Sequence, residues 1–164
     1  MKKIFFLFFF TAVIVVSSCK KAFDPGTTKA HKIANGWYVT LTYNGDDIYS
    51  LGTFFLDTYN TAASGDSIWV DDLQHSWIFK CKAAASFSSQ TFTATHASNN
   101  YNGDSSYVNI LNGKILAGAG TTKGGNKSDS IYMQINFSDD PDKLNYVISG
   151  TARTGFIEDD YKDQ

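Results

Sequence analysis

The sequence predicts an all-β fold: an antiparallel, up-and-down β-barrel of about eight strands. Three observations lead there. Apolar and polar residues alternate with period two in one segment after another, as half-buried antiparallel strands require. From Gly36 onward no stretch carries a helical apolar period. Turn residues punctuate the strands at short intervals, which leaves no room for the long connections of a Greek key.

The N-terminal elements come before the barrel. Lys2 and Lys3 precede an apolar run from Ile4 to Val16 that is interrupted only by Thr11. That run is too short to span a bilayer and has the length of a signal-peptide core. It ends in Val16-Ser17-Ser18-Cys19, the pattern of a bacterial lipobox. Residues 1–18 are therefore expected to be a lipoprotein signal peptide, with cleavage before Cys19 and lipidation of its sulfur. Several acyl chains anchor a protein stably where one would be marginal. Lys20, rather than aspartate, follows the cysteine, which favours the outer membrane. Nothing beside Cys19 signals surface display, so the expected orientation faces the periplasm. Residues 19–35 contain Pro25-Gly26 and no apolar period. They read as a flexible tether that reaches about 50 Å when extended. The barrel domain is then 36–164.

Composition narrows the partners. The formal net charge is −2 and the basic residues are scattered, so no nucleic-acid interface is expected. With Cys19 lipidated, Cys81 has no partner for a disulfide. A monomer is expected.

The strands follow in order. "WYVTLTY" sets Trp37, Val39, Leu41 and Tyr43 against Tyr38, Thr40 and Thr42. "TFFLDTYNT" and "SIWVDD" come next. "HSWIFKCKA" sets His75, Trp77, Phe79, Cys81 and Ala83 on one face, and "TFTATH" sets Phe92, Ala94 and His96 against threonines. "YVNIL", "IYMQINF" (Ile131, Met133, Ile135 and Phe137 inward) and "YVISGTA" complete the set. Asn-Gly at 35–36, 44–45, 102–103 and 112–113 supplies strong hairpin-turn signals. The polar face is Thr, Lys, Asn and Gln and belongs outside, so the interior is greasy. An apolar ligand would place its tail among Leu41, Phe79, Met133 and Ile135. Small inward residues (Cys81, Ala83, Ala94, Gly150, Ala152) fit a ligand cavity and barrel taper equally well, because pattern does not report volume.

"ANGWYVTLTY", "LDTYNTAASGDSIWVDD", "WIFKCK", "LNGKI" and "DSIYMQINFSDDPDKLNYVISGTARTGF" resemble a family of bacterial lipoproteins, the lipid-binding putative hydrolases. The resemblance runs from about Ala34 to Tyr161. It implies a lipocalin-like barrel that binds lipid, and it carries no catalytic residue over to this chain. The family's "RTGF" arginine is often preceded by a second basic residue, where Ala152 stands here. Lipocalin-like barrels also pair a Gly-x-Trp on the first strand with an arginine on the last. Gly36-Trp37 and Arg153 are the counterparts, and the resemblance implies Arg153 packed over Trp37 as a closing seal.

Chemistry leaves few signals. No Gly-x-Ser-x-Gly elbow is present. His31 lies in the expected tether, and His75 stands six positions from Cys81, about 20 Å along a strand. His96 would reach Cys81 only from a neighbouring strand. The acidic runs lack EF-hand spacing, and no His/Cys pair has zinc spacing. "SDDPDKLN" reads as a solvated turn set by Pro141. "GAGTTKGGNKSDS" lacks the order of a phosphate loop and reads as a flexible hairpin loop at the barrel mouth. Glu158, Asp159 and Asp160 read as a solubilising tail. No catalytic group, metal or cofactor is assigned. The functional expectation is a membrane-anchored binder of a small apolar molecule or lipid. The alternatives are a weak lipid or ester hydrolase, and an interaction module using Tyr49, Tyr59, Trp69 and Tyr101.

Overall fold

A computed structural model describes residues 28–62 and 65–161. The expected signal peptide, Cys19 with its lipidation, and most of the tether lie outside the described residues. Eight antiparallel strands pair in sequence order, and the last closes onto the first. They are β1 Asn35–Thr42, β2 Phe54–Asn60, β3 Ser67–Asp71, β4 Lys80–Ser86, β5 Thr91–Asn99, β6 Gly103–Thr121, β7 Lys127–Phe137 and β8 Tyr146–Ala152. The fold is the up-and-down barrel that the alternation predicts.

Such a chain reverses ends at every turn, which gives the barrel two distinct rims. The proximal rim receives the chain at Asn35 and carries loops 61–66, 87–90 and 122–126 and the segment after β8. The distal rim carries loops 43–53, 72–79, 100–102 and 138–145. Inward positions are buried along each strand: Trp37, Val39 and Leu41 on β1, Phe54 and Leu56 on β2, and Ile131, Met133, Ile135 and Phe137 on β7. The closing seam runs from Trp37 opposite Ala152 to Thr42 opposite Val147. A side chain at Gly150 would collide with the Tyr38 carbonyl, so glycine is what lets β8 approach β1 this closely.

Several local expectations are corrected. The tether does not run to residue 35, because Lys29–Lys32 form a 3-10 turn whose Ala30, with the following Ile33, is buried. The period-two reading of "HSWIFK" fails because β4 begins only at Lys80. Leu73, Gln74 and Ile78 have positive φ. The Asp72 carboxylate collects the N–H groups of Gln74, Ser76 and Phe79, which folds this stretch into a loop. His75 is therefore a loop residue. His96, at φ 50°, sits in a bulge between the Ala94 and Ala97 pairings and turns outward. There its ring stacks on Tyr107 at 3.7 Å between centroids.

The glycine-rich run is loop only at its centre. Gly118–Thr121 and Lys127–Ser130 belong to β6 and β7, and only 122–126 turn. Two of the four Asn-Gly pairs make the expected turns. Asn44 and Gly45 both have positive φ, and Gly103 follows the turn into β6. Asn35-Gly36 lies inside β1, and Asn112-Gly113 lies at a bulge inside the long β6.

Candidate functional site: an apolar interior with two closures

The inward faces of the alternating strands enclose an interior whose middle is apolar. Leu41, Phe79, Met133 and Ile135 are each 0% exposed, and Ile68, Val70, Ile110 and Ile148 are equally enclosed. The four side chains expected to contact a ligand thus all face the interior, on β1, at the start of β4 and on β7. Cys81 shares that interior, and burial pushes its thiol up to about 12, so it stays protonated and unreactive at neutral pH. With His96 on the outer wall, no Cys/His pair forms. His75 Nδ1 lies 3.1 Å from the Phe55 carbonyl and 3.0 Å from that of Asp72, which ties it to the loop backbone.

The proximal end is plugged by the chain's own approach. Ala30 and Ile33 drop into the rim, and Trp37 lies beneath them in the same buried cluster. Thr58 organises this plug: its hydroxyl donates to the Ile33 carbonyl and accepts the Trp37 indole N–H at 2.8 Å. Trp37 is therefore satisfied from β2. It has no cation over its face among the described residues. The Arg153 seal expected there is not formed, because strand alternation puts the two side chains on opposite surfaces. Trp37 and Ala152 point in, whereas Tyr38 and Arg153 point out. Arg153 still serves the seam, through its backbone N–H to the Gly36 carbonyl at 2.8 Å.

The Arg153 guanidinium instead grips Asp160, with Nε and Nη2 each 2.8 Å from a carboxylate oxygen. Tyr38 donates to the same carboxylate. The Arg153 hydrogen bonds hold the Asp160 carboxyl down at about 2, and Asp160 in turn raises Arg153 above its usual range. Beside it, Asp159 is 1% exposed. It accepts from the Thr122 and Thr154 hydroxyls, the Asn126 side chain and the Gly124 N–H. Burial pushes its carboxyl up, but these donors outweigh that and hold it below the ordinary range. Asp159 thus fastens the segment after β8 to the 122–126 turn and Asp160 clamps it to Arg153 and Tyr38, while Glu158 alone of the three acids is exposed. Nothing local in "FIEDDY" signals this, since the partners come from a turn some thirty positions earlier.

At the distal end, aromatic rings roof the interior. Trp77 stacks on Phe137 with centroids 4.9 Å apart and planes within 5°. Tyr146, Tyr49 and Tyr43 close around them. Phe79 supports Phe137 from below. Polar atoms at the edges pin this roof. The Trp77 indole N–H donates to Asp139, Tyr49 and Tyr146 share a hydroxyl contact of 2.8 Å, and Tyr146 donates to Asp140. Burial, followed by the Tyr49 and Asp140 hydrogen bonds, raises the Tyr146 phenol well above its usual range. Asp140 also accepts the N–H groups of Asp142 and Leu144, so the "SDDPDKLN" acid caps its own turn. No group of three or more His, Cys, Asp or Glu side chains capable of holding a metal occurs among the described residues.

The aromatic side chains considered as surface anchors are mostly engaged along the wall. Tyr59 and Tyr101 both donate to Asp71, and the Lys80 ammonium lies 3.3 Å from that carboxylate. It also sits over the Tyr59 and Trp69 rings. Burial raises the Asp71 carboxyl, yet the Leu73 N–H, the two tyrosines and Lys80 together hold it low. Tyr49 belongs to the distal roof.

Fold and site together define a small closed β-barrel with an apolar interior, covered proximally by its own chain and roofed distally by pinned aromatics. The chain belongs to the lipid-binding putative hydrolase family, whose model matches residues 22–157. No curated protein matches the chain.

Proposed function

We propose that this protein is a lipid-anchored lipoprotein, held through Cys19 on the periplasmic face of an outer membrane, whose barrel takes up a small apolar molecule or the acyl chain of a lipid. The family's lipid-binding description supports the reading. The observation that carries it is the distribution of polarity along the barrel interior. The middle presents only apolar side chains, while hydroxyl and carboxylate groups gather at the distal roof. A polar ligand would lose its hydrogen bonds to water there without replacement, at a cost of a few kcal/mol per group. An acyl chain instead gains about 0.8 kcal/mol for each methylene it buries. Its tail would lie among Leu41, Phe79, Met133 and Ile135, and its head would stay near Tyr49 and Tyr146.

The test is native-lipid extraction. Protein purified under mild conditions is extracted with organic solvent and the extract is analysed by mass spectrometry, alongside titration with a fluorescent fatty acid. Reproducible recovery of one lipid class, and saturable probe binding that Met133→Trp abolishes, are expected. An empty extract together with no probe binding rejects the reading.

A further inference from the structure

The two rims of the barrel differ in chemistry. At the proximal rim the strap after β8 exposes Phe156 by 55% and Ile157 by 84%, adjacent in sequence and on one short loop. Isolated exposed apolar residues are ordinary. These two are unusual because the loop that carries them is fixed on both sides. Asp159 anchors it to the 122–126 turn, Asp160 clamps it to Arg153, and the Asp159 and Asp160 N–H groups bond back to the Phe156 and Ile157 carbonyls. Two apolar side chains are thus held out into solvent by a rigid support. That arrangement sacrifices apolar burial within the fold and pre-orders the pair for an external surface.

The occupant of that surface is indicated by where the chain arrives. Thr28, the first described residue, leads through the Lys29–Lys32 turn into the proximal rim. Residues 20–27 separate it from Cys19, and fully extended they reach roughly 30 Å. A lipid on Cys19 therefore holds the proximal rim close to the bilayer. Charge agrees with this. Lys29, Lys32, Lys123 and Lys127 are exposed around the proximal rim. Of the acids of that rim, Asp159 is buried in the strap, Asp160 is paired with Arg153 and Asp66 lies 3.9 Å from Lys29, while Glu158 is exposed beside Ile157. The distal loops instead carry Asp46, Asp47, Asp139 and Asp142 against one exposed lysine, Lys143, together with the exposed apolar residues Ile48, Tyr49 and Ile78. An anionic bilayer would repel that end.

We propose that the proximal rim is a membrane-contact face, in which Phe156 and Ile157 insert at the interface of an anionic bilayer flanked by Lys29, Lys32, Lys123 and Lys127, so that the distal aromatic roof faces away from the membrane that anchors the protein. The proposal rests on the lipid-anchor reading for its geometry. Interfacial insertion needs only a few ångströms of penetration, and exposed apolar side chains beside lysines are the groups that supply it. The consequence is directional: ligand exchange through the distal roof takes place with the periplasmic space or a facing partner, and not with the anchoring leaflet.

Site-directed labelling tests this on the full lipidated chain, reconstituted in phosphatidylethanolamine–phosphatidylglycerol vesicles. Ile157→Cys and, separately, Ile48→Cys are coupled to an environment-sensitive fluorophore; Cys81, fully buried, does not react. Quenching by lipids carrying a nitroxide at a shallow acyl position is then measured. Several-fold stronger quenching at position 157 than at 48 is expected, and a Phe156→Ser background should weaken it with the circular dichroism unchanged. Equal quenching at both positions, or stronger quenching at 48, overturns the proposal. Metabolic labelling with palmitate reports on the anchor independently. Acylation without quenching at 157 overturns only the contact face, while quenching at 157 without acylation overturns only the anchor.

Discussion

Thr58, Asp159 and Asp160 carry more of this structure than any single residue named from pattern. Thr58 serves a buried indole and a backbone carbonyl with one hydroxyl. Thr58→Val should cost about 1–3 kcal/mol in urea unfolding, because the Trp37 N–H is then buried without a partner. Asp160 makes a pH prediction with a definite sign. Its folded carboxyl titrates at about 2, against 3.8 for the free group. A depressed folded value means that its stabilising contribution is complete above pH about 4 and is lost as pH falls towards 2. The difference in melting temperature between the native chain and Asp160→Asn should therefore be present at neutral pH and shrink through that acidic window. A difference that is independent of pH would contradict the Arg153 clamp. None of the three residues was legible beforehand, since each acts on partners that are distant in sequence.

At the scale of elements, the barrel wall was readable and its interruptions were not. β1 from Trp37 and β7 from Ile131 to Phe137 alternate cleanly, since no bulge breaks their pairing with β8 and period-two burial follows directly. The 72–79 loop defeats the same rule. Its "HSWIF" spacing mimics a strand, but Asp72 collects three backbone N–H groups and redirects the chain. Asp72→Ala should therefore loosen this loop and the Trp77 roof it carries. Faster hydrogen exchange at Gln74, Ser76 and Phe79, with β7 still protected, is the expected readout. At the seam, Gly150→Ala should destabilise by about 1–3 kcal/mol, as overpacking against the Tyr38 backbone does. Chemical denaturation measures it.

At the scale of the whole molecule, the two closures are built differently, and that difference bears on function. The proximal plug is aliphatic and continuous with the chain that enters it. The distal roof joins loop rings, Tyr49 and Trp77, to Phe137 and Tyr146 at the ends of β7 and β8, and hydrogen bonds to loop acids hold its edges. Trp77→Ala should raise the association rate of a fluorescent fatty acid several-fold in stopped-flow mixing while leaving the far-ultraviolet circular dichroism unchanged. An unchanged rate would mean that ligand does not pass through this end. Closed β-barrels leave no free sheet edge, so their specificity for partners must come from rims and loops.

The sequence by itself determined the all-β class, the eight-strand order and the apolar lining, including Leu41, Phe79, Met133 and Ile135. Those features follow from local alternation and short turns, which every strand repeats within a few residues. The tertiary structure alone decided what Arg153 touches, that Asp159 and Asp160 are fasteners, and that a loop rather than a strand delivers Trp77 to the distal roof. Each of these depends on which rim a loop occupies and on which surface a side chain emerges. Only closure of the barrel fixes both.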